Sequence, residues 1–405
     1  MMSLLPVEDA LARLLAAAMP ISDRQEVPLH EANGRVLAAD LKSRLTQPPF
    51  DASAMDGYAL RASDAAEIGS ILMVIGESAA GHGYAGEVGP GQAVRIFTGA
   101  PVPSGADSIL LQEDAEKLDD GRIRTTFAVS AGRHIRPRGQ DFAEGDAALS
   151  AGVRLDYRHL TLSAAMNHAT LSVYRRPRVA ILATGDELVP PGSQPGPSQI
   201  IGSNTFGIAA LARDNGAEVL DLGIVPDDRE LLHQAIERAR ASGVDVLVTL
   251  GGASVGDHDL VQSTLVAAGM QLDFWRIAMR PGKPLMVGRL DGMQVLGLPG
   301  NPISSLVCGL LFLEPLLAQL GRQENPERMT TARLVNALPA NDKRQDYVRA
   351  RLSDAHDGIR RVESFGKQDS SMMRIFSQSD CLIVRPPHVP AADVGELVPV
   401  MLLDR

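Results

Sequence analysis

The sequence predicts a multidomain α/β plus β protein: a doubly wound, mostly parallel α/β domain, a β-rich inserted module, a connector domain and a small C-terminal β-barrel. Three observations predict it. Residues 178–320 alternate short apolar runs with helical patterns, as successive βαβ units around a parallel sheet do. Residues 45–145 are dense in turn residues, among them Gly76, Gly81, Gly83, Gly86 and Gly89-Pro90-Gly91, between short β runs. Residues 330–405 again carry only short β runs. With 405 residues, the chain exceeds a typical domain of about 100–150. The expected division is 1–45 with 146–177 as a discontinuous N-terminal helix and connector domain, 46–145 as the β-rich module, 178–327 as the α/β domain and 328–405 as the barrel.

The elements follow in order. Leu11, Leu14, Leu15 and Ala18 recur at helical spacing, with Pro6 near a first turn, so the chain opens on an amphipathic helix. Glu8 and Asp9 occupy the place where a signal peptide needs its apolar region. In the β-rich module the strand candidates are 93–97, 108–112 and 122–127; in the connector, 160–165 reads as helical. The α/β series begins with a strand at 178–182 and a Pro/Gly-rich excursion at 190–197. Ser203 or Asn204 then caps a helix that stops at Gly216. A strand at 217–225 leads to Asp227-Asp228, which caps a helix with Leu231, Leu232, Ala235, Ile236 and Ala239 on one face. The strand 244–250, a helix ending at Gly269, and a hairpin of 284–290 with 293–298 about Asp291-Gly292 follow. A helix from Pro302 to about Leu320 closes the series. The last strand candidates are 332–338, 347–352, 358–362, 381–385 and 396–403.

Composition excludes several classes. A net charge of −10 lacks the basic face that non-specific nucleic-acid binding needs. Cys308 and Cys381 stand alone, without metal-ligand spacing, as two buried thiols in a reducing compartment. The longest apolar run, 303–313, stops at Glu314-Pro315, short of the roughly 20 residues that span a bilayer. A cytoplasmic protein with no membrane and no nucleic-acid partner is expected.

The chemistry concentrates in three Gly-rich loops at predicted strand ends: Ala183-Thr184-Gly185-Asp186-Glu187, Gly251-Gly252-Ala253-Ser254-Val255-Gly256-Asp257, and Leu298-Pro299-Gly300-Asn301-Pro302. Ligands of open α/β sheets bind at the carboxyl ends of the strands. Glycines there let backbone approach an anion, and helix amino termini supply N–H donors. Gly251, Gly252 and the Ser254 hydroxyl suit phosphate oxygens; the same turn is also a plain strand–helix connection in which Asp257 or Asp259 is a cap. Glu187, Asp228, Asp257 and Asp259 supply carboxylates for Mg²⁺, which takes one or two protein oxygens and leaves the rest to water and phosphate. Asp227 and Asp228 are equally good helix caps, and Asp228 is the one chosen as functional. Arg276, Arg280 and Lys283 form a basic cluster suited to oxyanions, Arg276 being also an ordinary solvated strand residue. Pro299-Gly300-Asn301-Pro302 opens a helix without bulky side chains, as a seat for a ring or an oxyanion or as a stiff turn. His82, His134 and His258 show no shared spacing. Ser370-Ser371-Met372 offers hydroxyls to an anion but reads equally as a loop between strands.

The motifs together resemble one family. Ser53-Ala54-Met55-Asp56-Gly57-Tyr58, Phe97-Thr98-Gly99-Ala100-Pro101, Thr184-Gly185-Asp186-Glu187-Leu188, Leu222-Gly223-Ile224-Val225-Pro226-Asp227-Asp228, Gly251-Gly252-Ala253-Ser254-Val255-Gly256-Asp257-His258-Asp259, Arg280-Pro281-Gly282-Lys283-Pro284 and Leu298-Pro299-Gly300-Asn301-Pro302 come in that order. The chain is similar, over nearly its whole length, to the molybdopterin molybdenumtransferases and to the C-terminal domain of gephyrin. The resemblance implies a Mg²⁺-assisted transferase that binds adenylyl-molybdopterin, inserts molybdate at its dithiolene and releases AMP. It implies an elongated homodimer of four-domain subunits, with a cleft between the α/β domain of one subunit and the β-rich module of the other. Transient contact with the adenylyltransferase and with apo molybdoenzymes goes with that role. It assigns catalysis to Asp56, Glu187 and Asp259, and metal binding to Glu187, Asp228 and Asp257. Substrate binding falls to Thr98, Asp141, Thr184, Gly185, Gly251, Gly252, Ser254, Gly256, Arg276, Arg280, Lys283, Pro299, Gly300, Asn301 and Pro302. Gln140 stands where the family pattern usually has an acid. The rival readings are a molybdopterin adenylyltransferase, which needs only the α/β unit, and a gephyrin-like dimeric scaffold.

Overall fold

A computed structural model describes residues 4–252, 260–355 and 358–404. The chain forms two compact units, one of Glu26–Val173 and one of Met1–Gln25 with Tyr174–Arg405. Its first helix, α1 (Val7–Ala16), has Glu8 and Asp9 in the first turn and buries Val7, Ala10 and Leu14, with the acids favouring the positive helix end. Its carboxyl end is held within the larger unit. Gln319 Nε2 donates to the Leu15 and Ala18 carbonyls at 2.6 and 2.7 Å, and Gln294 Nε2 donates to Ala17 O at 3.0 Å. These bonds satisfy carbonyls that a helix end leaves open. The expected grouping of 1–45 with 146–177 therefore splits at Gln25: α1 covers the α/β core rather than the connector.

The smaller unit holds a six-stranded sheet of β1 (Gly57–Leu60), β2 (Ile71–Ser78), β3 (Gln92–Ile96), β4 (Ser108–Leu111), β5 (Ala115–Lys117) and β6 (Arg122–Thr125), in the order β4-β1-β3-β2-β6-β5. Alternate residues face two cores: Tyr58, Leu60 and Leu110 one way, Ala59 and Ile109 the other. A third core joins Val27, Leu37 and Leu41 to Phe142, Leu155 and Val173. Those segments flank the sheet in sequence, so the sheet is an insertion into the connector. The connector helix α2 (Tyr157–Ala165) begins with a capping box. Asp156 accepts from the Arg158 and His159 N–H groups, and His159 Nδ1 accepts from the Asp156 N–H. Bonding to the Arg158 side chain is the main cause that holds the Asp156 carboxyl down at about 2. The stability this carries is present above the ordinary aspartate range and is lost as pH falls towards 2.

Gly57 is demanded by packing in this sheet. It pairs with Ile96 on one side and Leu111 on the other, and a Cβ there would lie 1.9 Å from Leu110 O. Gly57→Ala is expected to destabilise the unit by about 3 kcal/mol, the upper end of overpacking costs. Urea unfolding measures it; a loss below about 1 kcal/mol would show that the strands part freely.

In the larger unit the α/β sheet comprises β7 (Arg178–Thr184), β8 (Glu218–Val225), β9 (Val246–Leu250), β10 (Gln271–Trp275), β11 (Met286–Leu290) and β12 (Met293–Leu298), in the order β8-β7-β9-β12-β11-β10. In that order the first four are parallel; β11 runs antiparallel to both its neighbours, so the edge strand β10 points the same way as the first four. Asp291 (φ 50°) and Gly292 (φ 89°) make the expected hairpin turn. Helices cover both faces, the doubly wound arrangement. Val179, Ile181, Val246 and Val248 meet α1, α3 (Asn204–Asp214) and the helix that closes the series. Ala180, Leu182, Leu247 and Val295 meet α4 (Arg229–Ala241) and α5 (Leu260–Ala267). The closing helix, α6, runs from Pro302 to Leu320 and is mostly buried as a core helix. It passes through Glu314-Pro315 by way of a π turn at Gly309–Leu313, just before the proline whose missing N–H interrupts α pairing.

The last domain is a closed five-strand barrel. Its strands are β13 (Met329–Leu334), β14 (Gln345–Ser353), β15 (Arg361–Ser364), β16 (Cys381–Arg385) and β17 (Leu397–Leu402). They are ordered β14-β15-β13-β17-β16, with β16 returning to β14. A buried ion pair ties it to α6: Arg328 Nε donates to Glu314 Oε2 at 2.6 Å and Nη2 to Oε1 at 2.9 Å.

Candidate active site

The three Gly-rich loops end three adjacent strands. β7, β9 and β12 lie side by side, so the loops after Thr184, Leu250 and Leu298 emerge together at the carboxyl edge of the sheet. They line a cavity of about 700 Å³ to which Thr184, Glu187, Gly251, Pro299, Gly300, Asn301 and Pro302 all contribute. The glycines are set by close approach. Gly251 (φ 97°) would bring a Cβ to 2.7 Å from Thr184 O, and Gly252 (φ 61°) to 2.2 Å from the Val261 side chain. Gly185 (φ 145°) lies under the Glu187 carboxylate, where a Cβ would stand 2.3 Å from Oε2. Side chains at these positions would close the loops on one another.

The cavity carries hydrogen-bond donors among its lining residues. The Thr184 hydroxyl is buried without a hydrogen-bond partner, a costly state that a ligand oxygen would relieve. Two helices, α3 and α6, begin on the cavity wall, with Ser203, Asn204 and Thr205 on one and Asn301 and Pro302 on the other. Helix amino termini present free N–H groups and positive potential. Asn204 departs from its expected capping role. The helix has no side-chain cap, and Asn204 Nδ2 instead donates to Gly300 O at 2.7 Å, which ties the third loop to α3. The arrangement can bind an extended polyoxygen anion.

The carboxylates and bases are distributed more widely than the sequence suggests. Glu187 is exposed on the cavity wall. Asp228 is outside the cavity lining and caps α4, accepting from the Leu231 N–H at 2.9 Å. Asp186 accepts from the Asp227 N–H at 3.0 Å. Among the described residues no three His, Cys, Asp or Glu assemble as a metal cage. One carboxylate with water and substrate phosphate is nonetheless a sufficient set for Mg²⁺, and Glu187 fits that minimum. Ser254, Gly256, Asp257 and Asp259 lie outside the described residues. Arg276 (φ 85°) stacks on the Trp275 ring at 4.5 Å. Arg280 is engaged by the barrel: Nε donates to Asp346 Oδ1 at 3.1 Å, Nη2 pairs with Oδ2, and Asp342 lies 3.8 Å away. Neither lines the cavity, while the segments of Arg276 and Lys283 lie side by side, the Ile277 N–H donating to Lys283 O at 3.1 Å. Lys283 is exposed beside Pro284, which does line it.

Several wall residues escaped the sequence reading. Leu188, Ile200, Ile201 and Pro284 add an apolar side, and Ser203-Asn204 carried a signal that was spent on capping. Ser371 and Met373 of the barrel also line the cavity; Ser371 belongs to the stretch whose hydroxyls the sequence offers to an anion, and Met373 lies just beyond it.

In the smaller unit Asp56 and Thr98 meet. Asp56 Oδ1 accepts from the Thr98 N–H at 2.8 Å and from its hydroxyl at 2.7 Å. The Thr98 N–H, then its hydroxyl, then Arg95 hold the Asp56 carboxyl below the usual aspartate range, so it is ionised throughout the neutral range. A separate cavity of about 480 Å³ near Thr98 is lined by Gly99, Arg136, Gln140 and Asp141. Arg136 and Phe50 there are further residues that the sequence did not single out. Thr98→Val removes one of the two bonds to Asp56. The pKa therefore rises, and the acidic limb of the activity profile is expected to move up towards the ordinary value near about 3.9. A pH–rate profile with an unmoved limb would separate Asp56 from turnover.

Comparison with known proteins agrees along the chain. Residues 5–167 match the MoeA N-terminal region (domain I and II), 180–319 the probable molybdopterin binding domain, and 331–403 the MoeA C-terminal region (domain IV). The molybdopterin molybdenumtransferase of Haemophilus influenzae is 35% identical over 400 residues, 98% of each chain. That of Nostoc sp. is 37% identical over 374 residues, 90% of this chain and 85% of its own. Two crystal structures of a molybdopterin biosynthesis MoeA protein from Pyrococcus horikoshii superpose with TM-scores of 0.84 and 0.80, at 32% and 28% identity. They cover 100% and 99% of this chain and 100% of their own.

Proposed function

Because this chain belongs to the molybdopterin molybdenumtransferase family, we propose that it inserts molybdate into adenylyl-molybdopterin with release of AMP. The observation that carries the reading is the cavity at the sheet edge, where the orphaned Thr184 hydroxyl, two helix amino termini and the Gly251 turn converge. A phosphate anhydride matches such a donor set. The apolar side at Leu188 and Ile201 suits the flat face of a pterin. Glu187 would hold a Mg²⁺ together with water and substrate oxygens, and a bound ion would supply charge neutralisation for the departing AMP. The Asp56 carboxylate, ionised at neutral pH, accepts a proton or orients the incoming molybdate. By the family resemblance it acts in a homodimer, in the cytoplasm, with passing contact to the adenylyltransferase and to apo molybdoenzymes.

The test supplies purified protein with adenylyl-molybdopterin, molybdate and Mg²⁺, and measures AMP release and reconstitution of an apo molybdoenzyme. Molybdate-dependent AMP release is expected. Its absence, with ATP consumed against free molybdopterin, would establish the adenylyltransferase reading instead.

A further inference from the structure

Asp56 and Thr98 meet because β1 and β3 are antiparallel neighbours in the smaller unit. Gly57, the first residue of β1, pairs with Ile96, the last of β3. The residue before one strand and the loop after the other therefore emerge at the same end. Neither segment has a helix or strand of its own: residues 54–56 bend and residues 98–99 turn. Segments of that kind have low local stability unless something fixes them.

Arg95 fixes both. It stands on β3 opposite Tyr58 of β1, and its guanidinium carbon lies 5.2 Å from the centre of the Tyr58 ring and 4.8 Å from that of Phe97. Tyr58 is buried, so the stack ties the guanidinium to the core. Nη1 donates to Gly57 O at 2.9 Å, and Nη2 donates to Gln112 Oε1 at 2.7 Å. The Gln112 N–H in turn donates to Asp56 O at 3.2 Å. One planar side chain thus touches the residue after Asp56, the residue before Thr98 and the residue that holds the Asp56 carbonyl. A guanidinium suits this task because its fork makes directed bonds while its face stacks on rings. Both bonds end on neutral oxygens, and the charge adds to the two Thr98 donors that keep Asp56 ionised. The other charged groups at hand are Glu77, opposite Arg95 on β2, and Glu113, which accepts from Gln112 Nε2 at 3.3 Å.

We propose that Arg95 is the positioning residue that holds the Asp56 carboxylate against the Thr98 loop in its working orientation, and so sets kcat rather than substrate affinity. The proposal rests on the reading of Asp56 as a group that acts in turnover. A reacting group misplaced by about 1 Å costs rate on the order of 100-fold, while binding contacts elsewhere on the substrate stay in place.

The test compares Arg95→Met, Arg95→Lys, Gln112→Ala and Asp56→Asn with the wild type. It measures molybdate-dependent AMP release, amide hydrogen exchange of Thr98 at neutral pH, and thermal unfolding. Arg95→Met keeps an unbranched chain over the rings. It is expected to lower kcat about 10- to 100-fold with KM within about twofold, and to speed Thr98 exchange about tenfold as the bond to Asp56 is released. Arg95→Lys is expected near Arg95→Met, because lysine keeps the charge but not the planar fork. Gln112→Ala removes one arm at the surface and leaves the stack, so it is expected between wild type and Arg95→Met. Unchanged kcat and Thr98 exchange in Arg95→Met, or in Gln112→Ala should Arg95→Met not fold, would overturn the proposal. So would exchange that rises evenly over β1, β3 and β4 with a lowered Tm, since Arg95 would then serve the fold alone. If Asp56→Asn turns over like the wild type, the reading of Asp56 fails, and Thr98 exchange still decides whether Arg95 holds the pair.

Discussion

Asp56→Asn is expected to leave the protein folded and to cut molybdate-dependent AMP release roughly 100- to 10,000-fold, the range for losing a positioned acid–base group. The substitution keeps shape, and the amide oxygen can still accept from the Thr98 N–H and hydroxyl, the two bonds that Asp56 Oδ1 now accepts. What it removes is the charge that those donors and Arg95 stabilise. A change at the surface of this unit alters stability by about 0.5 kcal/mol or less, so the thermal midpoint is expected to stay near the wild type. AMP release within about tenfold of wild type would remove Asp56 from the chemistry and leave its bonds with Thr98 as loop structure.

Glu314→Leu is expected to cost about 3–5 kcal/mol, because it leaves the Arg328 guanidinium buried without its counter-charge. Glu314 is 1% exposed and Arg328 8%, and Asn215 Nδ2 also donates to Glu314 Oε1 at 3.3 Å. The double variant Glu314→Leu with Arg328→Met is expected to recover part of that loss. Recovery stops short because Arg328 Nη1 also donates to the Leu402 and Leu403 carbonyls, at 3.1 and 2.8 Å, and buried carbonyls left open cost about 1–3 kcal/mol. Denaturant unfolding of these two variants and of Arg328→Met alone measures the cycle. A single variant that loses less than about 1 kcal/mol would show that water reaches the pair.

The strands and loops around the cavity were legible because their causes are local. The strand at Met293–Leu298 and the hairpin at Asp291-Gly292 follow from apolar runs and turn chemistry read over a few residues. The loops after Thr184, Leu250 and Leu298 follow strands that had to be parallel neighbours, so their convergence was legible too. Cys381–Arg385 in the barrel was found for the same reason. The first helix was read correctly as amphipathic, but its partner was not, since an apolar stripe says how much must be covered and not by what.

The residues whose roles changed are those whose partners lie far along the chain. Arg280 reads as a free cation in its Pro-Gly turn, and its engagement by Asp346 is decided by the strand pairing of Met279–Arg280 with Gln345-Asp346. Asn204 has the composition of a cap, yet its amide reaches Gly300 across the cavity. Ser371 and Met373 join the wall from the barrel, where Ser370 O accepts from the Ile303 N–H of α6 and the Ser203 hydroxyl meets Met373 Sδ. Hydrophobic period and turn composition, acting within a few residues, thus determine the sheet, the loops at its edge and the anion-binding character of that edge. Which charges remain free to serve the anion, and which domain closes the wall, depends on contacts between segments distant in sequence, and only the folded arrangement of the chain sets these.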